Sequence, residues 1–539
     1  MNELLRALKE LSIHDLEQLA GSTIVRAVRG AYKTNRERAL AQLVADRYGI
    51  NILKNKEVRR ALVDVLSTEE ATDICEKLNI KIIGGSPHRT LSDRYSGPFG
   101  TSRAQEFVDL FRLPDEFVPK KIEDRRTAES DVSACYNQPL VSKGVLHPYQ
   151  RRVKDALRRN LEMGIRRMMT QMPTGAGKTV TALEVVVDHL RQPDFNRIVV
   201  WIVDSNELAD QALESFSELW RLRGDRPTKA YRYFDEFSAN YELCDPGVVF
   251  ASFSKAWSAL QSENMERKDN FLQLCKRASL VIVDEAHTSV AETYEIIISK
   301  LKAYDAYLIG LSATPGRNDP YQTTELAKMY GQQLVSIADE NNNDAPDAIE
   351  YLRKEQYLAS VVFEELESGI EVSETDENKI CSKLAESSDR NLQIVKQIKR
   401  AVQENQSTLV FACTKDHVLA LTALCRANGI PSGFITGDVP QSERITLLNQ
   451  FRSNSLKVLI NHEILSTGVD LPNVDKLIIT RPVGSPILYS QILGRALRGP
   501  KNGGNTTNYI ISINDNLKNY PNASHVYKSF KNNFSLRVR

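Results

Sequence analysis

Residues 166–190 read RRMMTQMPTGAGKTVTALEVVVDHL. The stretch falls into three parts. Arg166–Gln171 reads as a strand, Met172–Thr179 as a glycine-bearing loop, and Val180–Leu190 as an apolar helix. Strand, loop and helix in that order are the context a phosphate loop requires. Gly175 and Gly177 let backbone N–H groups turn inward on phosphate oxygens, and the helix N-terminus adds partial positive charge. Lys178 reaches the β- and γ-phosphates, and Thr179 offers a hydroxyl to Mg²⁺. Thr174 and Ala176 complete the cradle. The strict pattern has Gly at 172, where this chain has Met. A tight glycine turn without a ligand is the alternative, and the flanking strand and helix argue against it.

Outward from this loop, short β-branched runs alternate with helical segments from about residue 136, which is the signature of parallel α/β sheets. The pattern occurs twice. The second block has its clearest strands at Thr408–Ala412, Gly433–Thr436, Lys457–Asn461 and Lys476–Thr480. Between the blocks, Asp339–Asp347 is polar and Asn-rich and reads as a surface loop or linker. In the first block, Leu280–Val283 is a buried-type strand that delivers Asp284-Glu285-Ala286-His287 at its carboxyl end, where α/β sheets bind ligands. One carboxylate there holds Mg²⁺. The other orients and deprotonates an attacking water.

The section before residue 136 reads as mostly helical. Leu4, Leu5, Leu8 and Leu11 form one stripe. Ser12 and Asp15 mark a helix start and Gly21 its stop. One long helix is expected over Thr23–Arg47, a capping box at Ser67–Glu70 opens a helix ending near Leu78, and Ile80–Ile83 is expected as a short strand. Arg26, Arg29, Lys33 and Arg36 recur at helical spacing; a solvated face is the preferred reading over a phosphate-tracking one.

The order of motifs resembles the superfamily 2 helicases and translocases over residues 140–515. Leu146–Gln150 is similar to the family's adenine-reading segment, with Gln150 on the base edge. Residues 172–179 match the phosphate motif and 284–287 the DEAH form of the acidic motif. Ser312-Ala313-Thr314 matches the motif that, with His287, couples hydrolysis to strand movement. Ser205 and Asn206, in a strand-to-helix turn, and Ser252 match backbone-binding segments of the first motor domain. Gly437 and Thr467 match those of the second. Residues 465–472 match motif V, which brings Gly468 and Asp470 to the nucleotide. Residues 491–499 match motif VI, which implies catalytic roles for Gln491, Arg495 and Arg498. Arg498, joined by Arg495, is expected to cross the cleft to the γ-phosphate, a contribution of about 10³–10⁵ in rate in phosphoryl-transfer enzymes.

The resemblance implies an α/β chain with two tandem RecA-like parallel-sheet domains behind a mostly helical N-terminal domain. The expected boundaries are 1–135 for the helical accessory or interaction domain, 136–335 for the ATP-binding domain and 336–515 for the second motor domain. A polar, basic tail occupies 516–539. ATP and Mg²⁺ are the implied cofactors and nucleic acid the implied partner. DNA is favoured because LHPYQ, VDSNELADQ and QILGRALRG look more like restriction-enzyme motor subunits and DNA-repair helicases than like RNA unwinders. The competing readings are an RNA helicase and an ATP-gated nucleic-acid sensor or scaffold, with a protein partner on the N-terminal domain.

Composition agrees. The 539 residues are 42% hydrophobic and 26% charged, which is globular and argues against a disordered or fibrous chain. With 70 Lys and Arg against 69 Asp and Glu, net charge is +1, so a nucleic-acid site must be a local groove. The seven cysteines are scattered and never spaced CxxC, which disfavours a disulfide framework or zinc ribbon. No stretch approaches the roughly 18 apolar residues of a spanning helix, and the first residues do not read as a signal peptide. A cytoplasmic protein with reduced thiols and no membrane partner is the expectation.

Overall fold

The computed structural model describes residues 2–9, 11–28, 36–118, 127–134, 146–192, 196–313, 320–338, 348–370, 374–462, 473–483 and 492–515, and the single positions 372, 465, 471, 489 and 517. Two sheets dominate it. The first contains β1 (Glu129–Val132), β2 (Arg167–Gln171), β3 (Ile198–Val203), β4 (Thr228–Tyr233), β5 (Gly247–Ser252), β6 (Ala278–Val283), β7 (Tyr307–Ser312) and β8 (Leu334–Val335). Their order is β1-β4-β5-β3-β6-β7-β2-β8. All pairings are parallel except β1 with β4. The second contains β9 (Ser360–Glu367), β10 (Thr408–Phe411), β11 (Ser432–Ile435), β12 (Val458–Asn461), β13 (Lys476–Ile479) and β14 (Thr507–Asn514). It is parallel throughout, in the order β11-β12-β10-β13-β14-β9.

Alternation explains both layers, because successive strand residues point to opposite faces. In β3, Val199, Trp201 and Val203 join one core while Ile198 and Val200 join another. In β10, Leu409 and Phe411 face the core shared between the two motor domains, and Val410 faces away from it. That opposite core is continuous with Leu4, Leu8, Leu11, Leu16 and Ile24 of the N-terminal helices. The N-terminal section therefore packs on the second motor domain. Its helices Ser22–Ala27 and Arg36–Tyr48 lie against helix Lys415–Ala427, which is buried without a break from His417 to Cys425. A helix apolar all round needs such a cover.

Several local expectations meet a different outcome. β1 precedes residue 136 yet belongs to the first motor sheet. The region of the expected single helix over Thr23–Arg47 holds two helices, Ser22–Ala27 and Arg36–Tyr48, with 29–35 outside the described residues. Ile80–Ile83 is not a strand. Ile80 spends its N–H on Cys75 O at 3.0 Å, and Asn79 takes φ 52°, so this stretch terminates the preceding helix. Arg26 pairs with Glu386 at 2.8 Å and Arg36 with Glu17, so these two arginines make protein contacts. The Ser12 cap and the Ser67–Glu70 capping box are present. The 339–347 segment lies outside the described residues, as does the tail from 518. Among the described residues no helix is long and apolar enough to cross a membrane.

Candidate active site

The phosphate loop leaves β2 and enters helix Lys178–Leu190 at Gly177, whose φ of 78° an L side chain rarely adopts. Two side chains hold the loop from behind. Gln150 donates from Nε2 to Ala176 O at 3.1 Å, and Tyr149 Oη donates to the same carbonyl at 3.0 Å. Gln150 Oε1 also accepts from His147 N at 2.9 Å, closing the first turn of its helix. A Cβ on Gly177 would lie 2.3 Å from Gln150 Nε2, so the glycine is needed for contact as well as for conformation.

At the end of β6, Lys178 Nζ donates to Glu285 Oε1 at 3.0 Å. Asp284 Oδ1 accepts from Glu285 N at 2.9 Å. Burial, and then the neighbouring Glu285 charge, push the Asp284 carboxyl up to about 6 despite Lys178 and the Thr179 hydroxyl. Burial would raise Glu285 as well, but Lys178, His287 and Arg495 hold it below the usual carboxylate range. Glu285 sits at φ 49°, ψ 45°, a sparsely populated conformation for a residue with a side chain. Buried His287 places Nδ1 at 3.5 Å from Glu285 Oε2 and 3.3 Å from Ser312 Oγ. Ser312 O in turn accepts from Met172 N at 3.1 Å. His287 and Ser312 thus form a contiguous path from carboxylate to phosphate loop.

The second domain closes on this cleft. A Cβ on Gly494 would lie 2.0 Å from Thr174 Cγ2, so motif VI crosses the phosphate loop at a distance that only glycine permits. The two arginines divide. Arg495 lies within electrostatic reach of Glu285 and Arg498 within that of Tyr149 at the base end, and Arg498 also pairs by backbone with Leu358. Gln491, Thr314, Thr467, Gly468 and Asp470 lie outside the described residues.

The nucleic-acid candidates sit at strand ends. Ser205 caps its helix by accepting from Leu208 N at 3.3 Å, and Asn206 Nδ2 donates to Asp235 at 2.7 Å. Ser252 is fully buried and caps the next helix through Lys255 N at 3.4 Å, so its hydroxyl is turned inward. Gly437 is exposed beside Lys415, which pairs with Asp438 at 2.9 Å. Sequence reasoning missed Tyr149 as a loop support, although it lies inside the quoted LHPYQ. It also missed Tyr357 and Leu358, for which no motif gave a signal.

A phosphate-loop cradle in one parallel-sheet domain, with a segment of a second parallel-sheet domain packed on it, defines a tandem two-sheet nucleotide-binding fold. Residues 143–317 match the family model for the type III restriction enzyme res subunit, and 390–500 match the helicase conserved C-terminal domain. The Saccharomyces cerevisiae protein named IRC3, an ATP-dependent helicase by name, is 27% identical over 380 residues, covering 68% of this chain and 50% of its own. The EcoKI endonuclease subunit of the Escherichia coli type I restriction enzyme is 25% identical over 421 residues, covering 67% of this chain and 34% of its own. The chain therefore spans half or less of these two relatives. The crystal structure of the helicase MrfA bound to DNA and AMPPNP shares the fold at TM-score 0.50 and 16% identity, covering 76% of this chain and 55% of that one. Over both matched segments the chain is similar to the superfamily 2 helicases and translocases.

Proposed function

We propose that the chain is an ATP-driven motor that moves along DNA, as a helicase or as a double-strand translocase. The observation that carries this reading is Gly494 pressing on Thr174, which sets motif VI and its arginines against the phosphate loop. Hydrolysis then depends on closure of two domains, and a cycle of closing and opening is what moves a protein along a strand. The Lys178–Glu285 pair is the resting arrangement. An incoming γ-phosphate takes Lys178, and Glu285 is left to orient the attacking water.

Gln150 supports adenine as the base. A carboxamide has two donors and two acceptor sites. It can hold His147 N and Ala176 O and still offer one donor and one acceptor to adenine N7 and N6. Thr179 and Asp284 fit Mg²⁺, which takes oxygen ligands. A buried carboxylate pushed up by desolvation is a group that a cation relieves. These two residues would hold the ion, and it would supply charge neutralisation at the phosphates. DNA as the track draws on the restriction-subunit relative and the DNA-bound MrfA. A motor subunit of a repair, restriction or phage-defence assembly is the proposed setting.

The test is steady-state ATPase without polymer and with single-stranded DNA, duplex DNA or structured RNA, beside a Glu285→Gln control. Stimulation by DNA is expected. Stimulation by RNA alone would replace DNA with RNA as the track, and stimulation by none would favour a gated sensor. Glu285→Gln should retain ATP binding and lose about 10²–10⁴ in turnover. Arg495→Ala should lower turnover by about 10³-fold or more with little change in ATP affinity, and a larger loss in Arg498→Ala would reverse the assignment of the finger.

A further inference from the structure

Tyr357 and Leu358 lie between the two family-matched segments, 143–317 and 390–500, so neither match assigns them a role. They precede β9, on the connection between the motor domains. Both of its amides donate to Leu352 O of helix Ala348–Lys354, at 2.8 and 3.0 Å, while its side chains meet residues of the nucleotide cleft. The Tyr357 ring packs on His147 at 4.8 Å and on Tyr149 at 4.7 Å between centroids. These are the residues beside Gln150, and Tyr149 itself holds the phosphate loop. Leu358 covers the loop: a Cβ on Gly175 would meet Leu358 Cδ2 at 3.6 Å.

The other side of the dipeptide is fastened to motif VI. Gly499 N donates to Tyr357 O at 3.1 Å, Ala359 N donates to Leu497 O at 2.9 Å, and Leu358 forms a bridge with Arg498. Asn502 Nδ2 donates to Tyr357 O at 2.7 Å, and Lys501 Nζ sits 4.7 Å over the Tyr357 ring. A Cβ on Gly499 would lie 2.4 Å from Gln356 O, so the two strands of chain approach as closely as backbone allows. The base-reading segment, the phosphate loop and motif VI therefore all rest on the same two residues.

We infer that Tyr357-Leu358 is the element that transmits nucleotide occupancy in the first motor domain to motif VI in the second, with the Tyr357 ring as its contact to the base-reading segment. The inference rests on the nucleotide-cleft reading above. The ring acts through position, not chemistry, since the contacts that carry the argument are made by its face and its backbone carbonyl. A change that removes the ring leaves Gln150, Lys178 and the carboxylates in place. Arg495 then loses the support that brings it to Glu285 in step with binding.

The experiment uses the full chain with Tyr357→Ala, Tyr357→Leu and Tyr357→Phe. Tyr357→Ala and Tyr357→Leu should lower kcat by about 10-fold or more while KM for ATP changes less than about 3-fold, and Tyr357→Phe should stay within about 2-fold of the parent chain. Tyr357→Leu keeps an apolar side chain there and guards against a folding defect in the alanine variant, with the melting curve as the check. A second readout needs no turnover. A non-hydrolysable ATP analogue should slow amide hydrogen exchange over 497–504 in the parent chain and in Tyr357→Phe, and should fail to do so in Tyr357→Ala. Parent-like kcat in Tyr357→Ala and Tyr357→Leu overturns the inference. So does a raised KM at unchanged kcat, which would make Tyr357 a base-binding residue. A parent chain without ATPase overturns the motor reading instead, and the exchange result then decides the coupling role.

Discussion

The two motor domains solve the same packing problem with different materials. The first covers both faces of its sheet with helices from its own sequence, one face in the core with Trp201 and Phe216, the other with Phe253, Phe271 and Ile298. In the second, one face carries Leu448 and Phe451 of its own helix Gln441–Arg452 and shares a core with the first domain. Its other face carries helices Ser388–Gln403 and Lys415–Ala427, and these are finished by the N-terminal leucines. Residues 2–118 are therefore the outer layer of the second motor domain, joined to it through the core and through Arg26–Glu386, Arg47–Asp416 at 3.6 Å and Arg426–Asp46. A unit that looks like an accessory in chain order is part of a core in space. It must move with the second domain whenever the cleft opens.

The largest effect tests this directly. A chain lacking residues 1–118 uncovers the outer side of a helix buried from His417 to Cys425. Each large apolar side chain returned to water costs about 1.5–3 kcal/mol, and a domain has only about 5–15 kcal/mol in total. The expected outcome is aggregation, or loss of the cooperative melting transition of the second domain while that of the first persists. A truncated chain that melts like the parent would show that the N-terminal helices are a separable module.

Buried charge offers a smaller contrast. In the second domain Arg390, with no side-chain exposure, is held by a single carboxylate, Asp515, at 2.8 and 2.7 Å. In the first, Glu184 is shared by Lys154 at 3.1 Å and Arg223 at 3.5 Å, and Lys154 also reaches Asp188 at 2.9 Å. Asp515→Ala leaves the buried guanidinium with Thr480 O and Cys413 Sγ but without Asp515, and should cost about 3–5 kcal/mol. Glu184→Gln leaves Lys154 with Asp188 and should cost about 1–3 kcal/mol. Denaturant unfolding of both variants checks the ranking, and equal losses would remove the distinction.

What could be read from the chain follows the same division. The phosphate loop, the acidic pair and the parallel strands were legible because each rests on local spacing: glycines before a lysine, carboxylates after an apolar run. Ser12 and Ser67 announced their helices for the same reason. The docking of the N-terminal helices was not legible, since the apolar stripe of Leu4, Leu8 and Leu11 says that a face is buried but not against what. Arg495 and Arg498 occur three residues apart in one motif, and only the folded cleft shows that the first comes within electrostatic reach of Glu285 and the second of Tyr149. Ser252 matched a backbone-binding pattern, yet its position at the end of β5 turns the hydroxyl inward to cap a helix. Tyr357 lies in a connection with no motif at all, and its role depends on contacts with residues more than a hundred positions away.

The smallest predicted effect belongs to the first domain and comes from Asp284. Its carboxyl is pushed from 3.8 up to about 6 by burial and by Glu285. Between those values the folded chain keeps a proton that the unfolded chain has released. Stability from this group is therefore present at low pH and falls as pH rises through about 6. Above that point the carboxylate is ionised in a buried place, which is the state a divalent cation relieves. Mg²⁺ should then raise the melting temperature of the first domain more at about pH 7.5 than at about pH 5, because at the lower pH it must displace a proton. Asp284→Asn should abolish the pH dependence of that shift without touching the second domain's transition. An equal Mg²⁺ effect at both pH values would move the cation away from Asp284 and leave Thr179 and the phosphates to hold it.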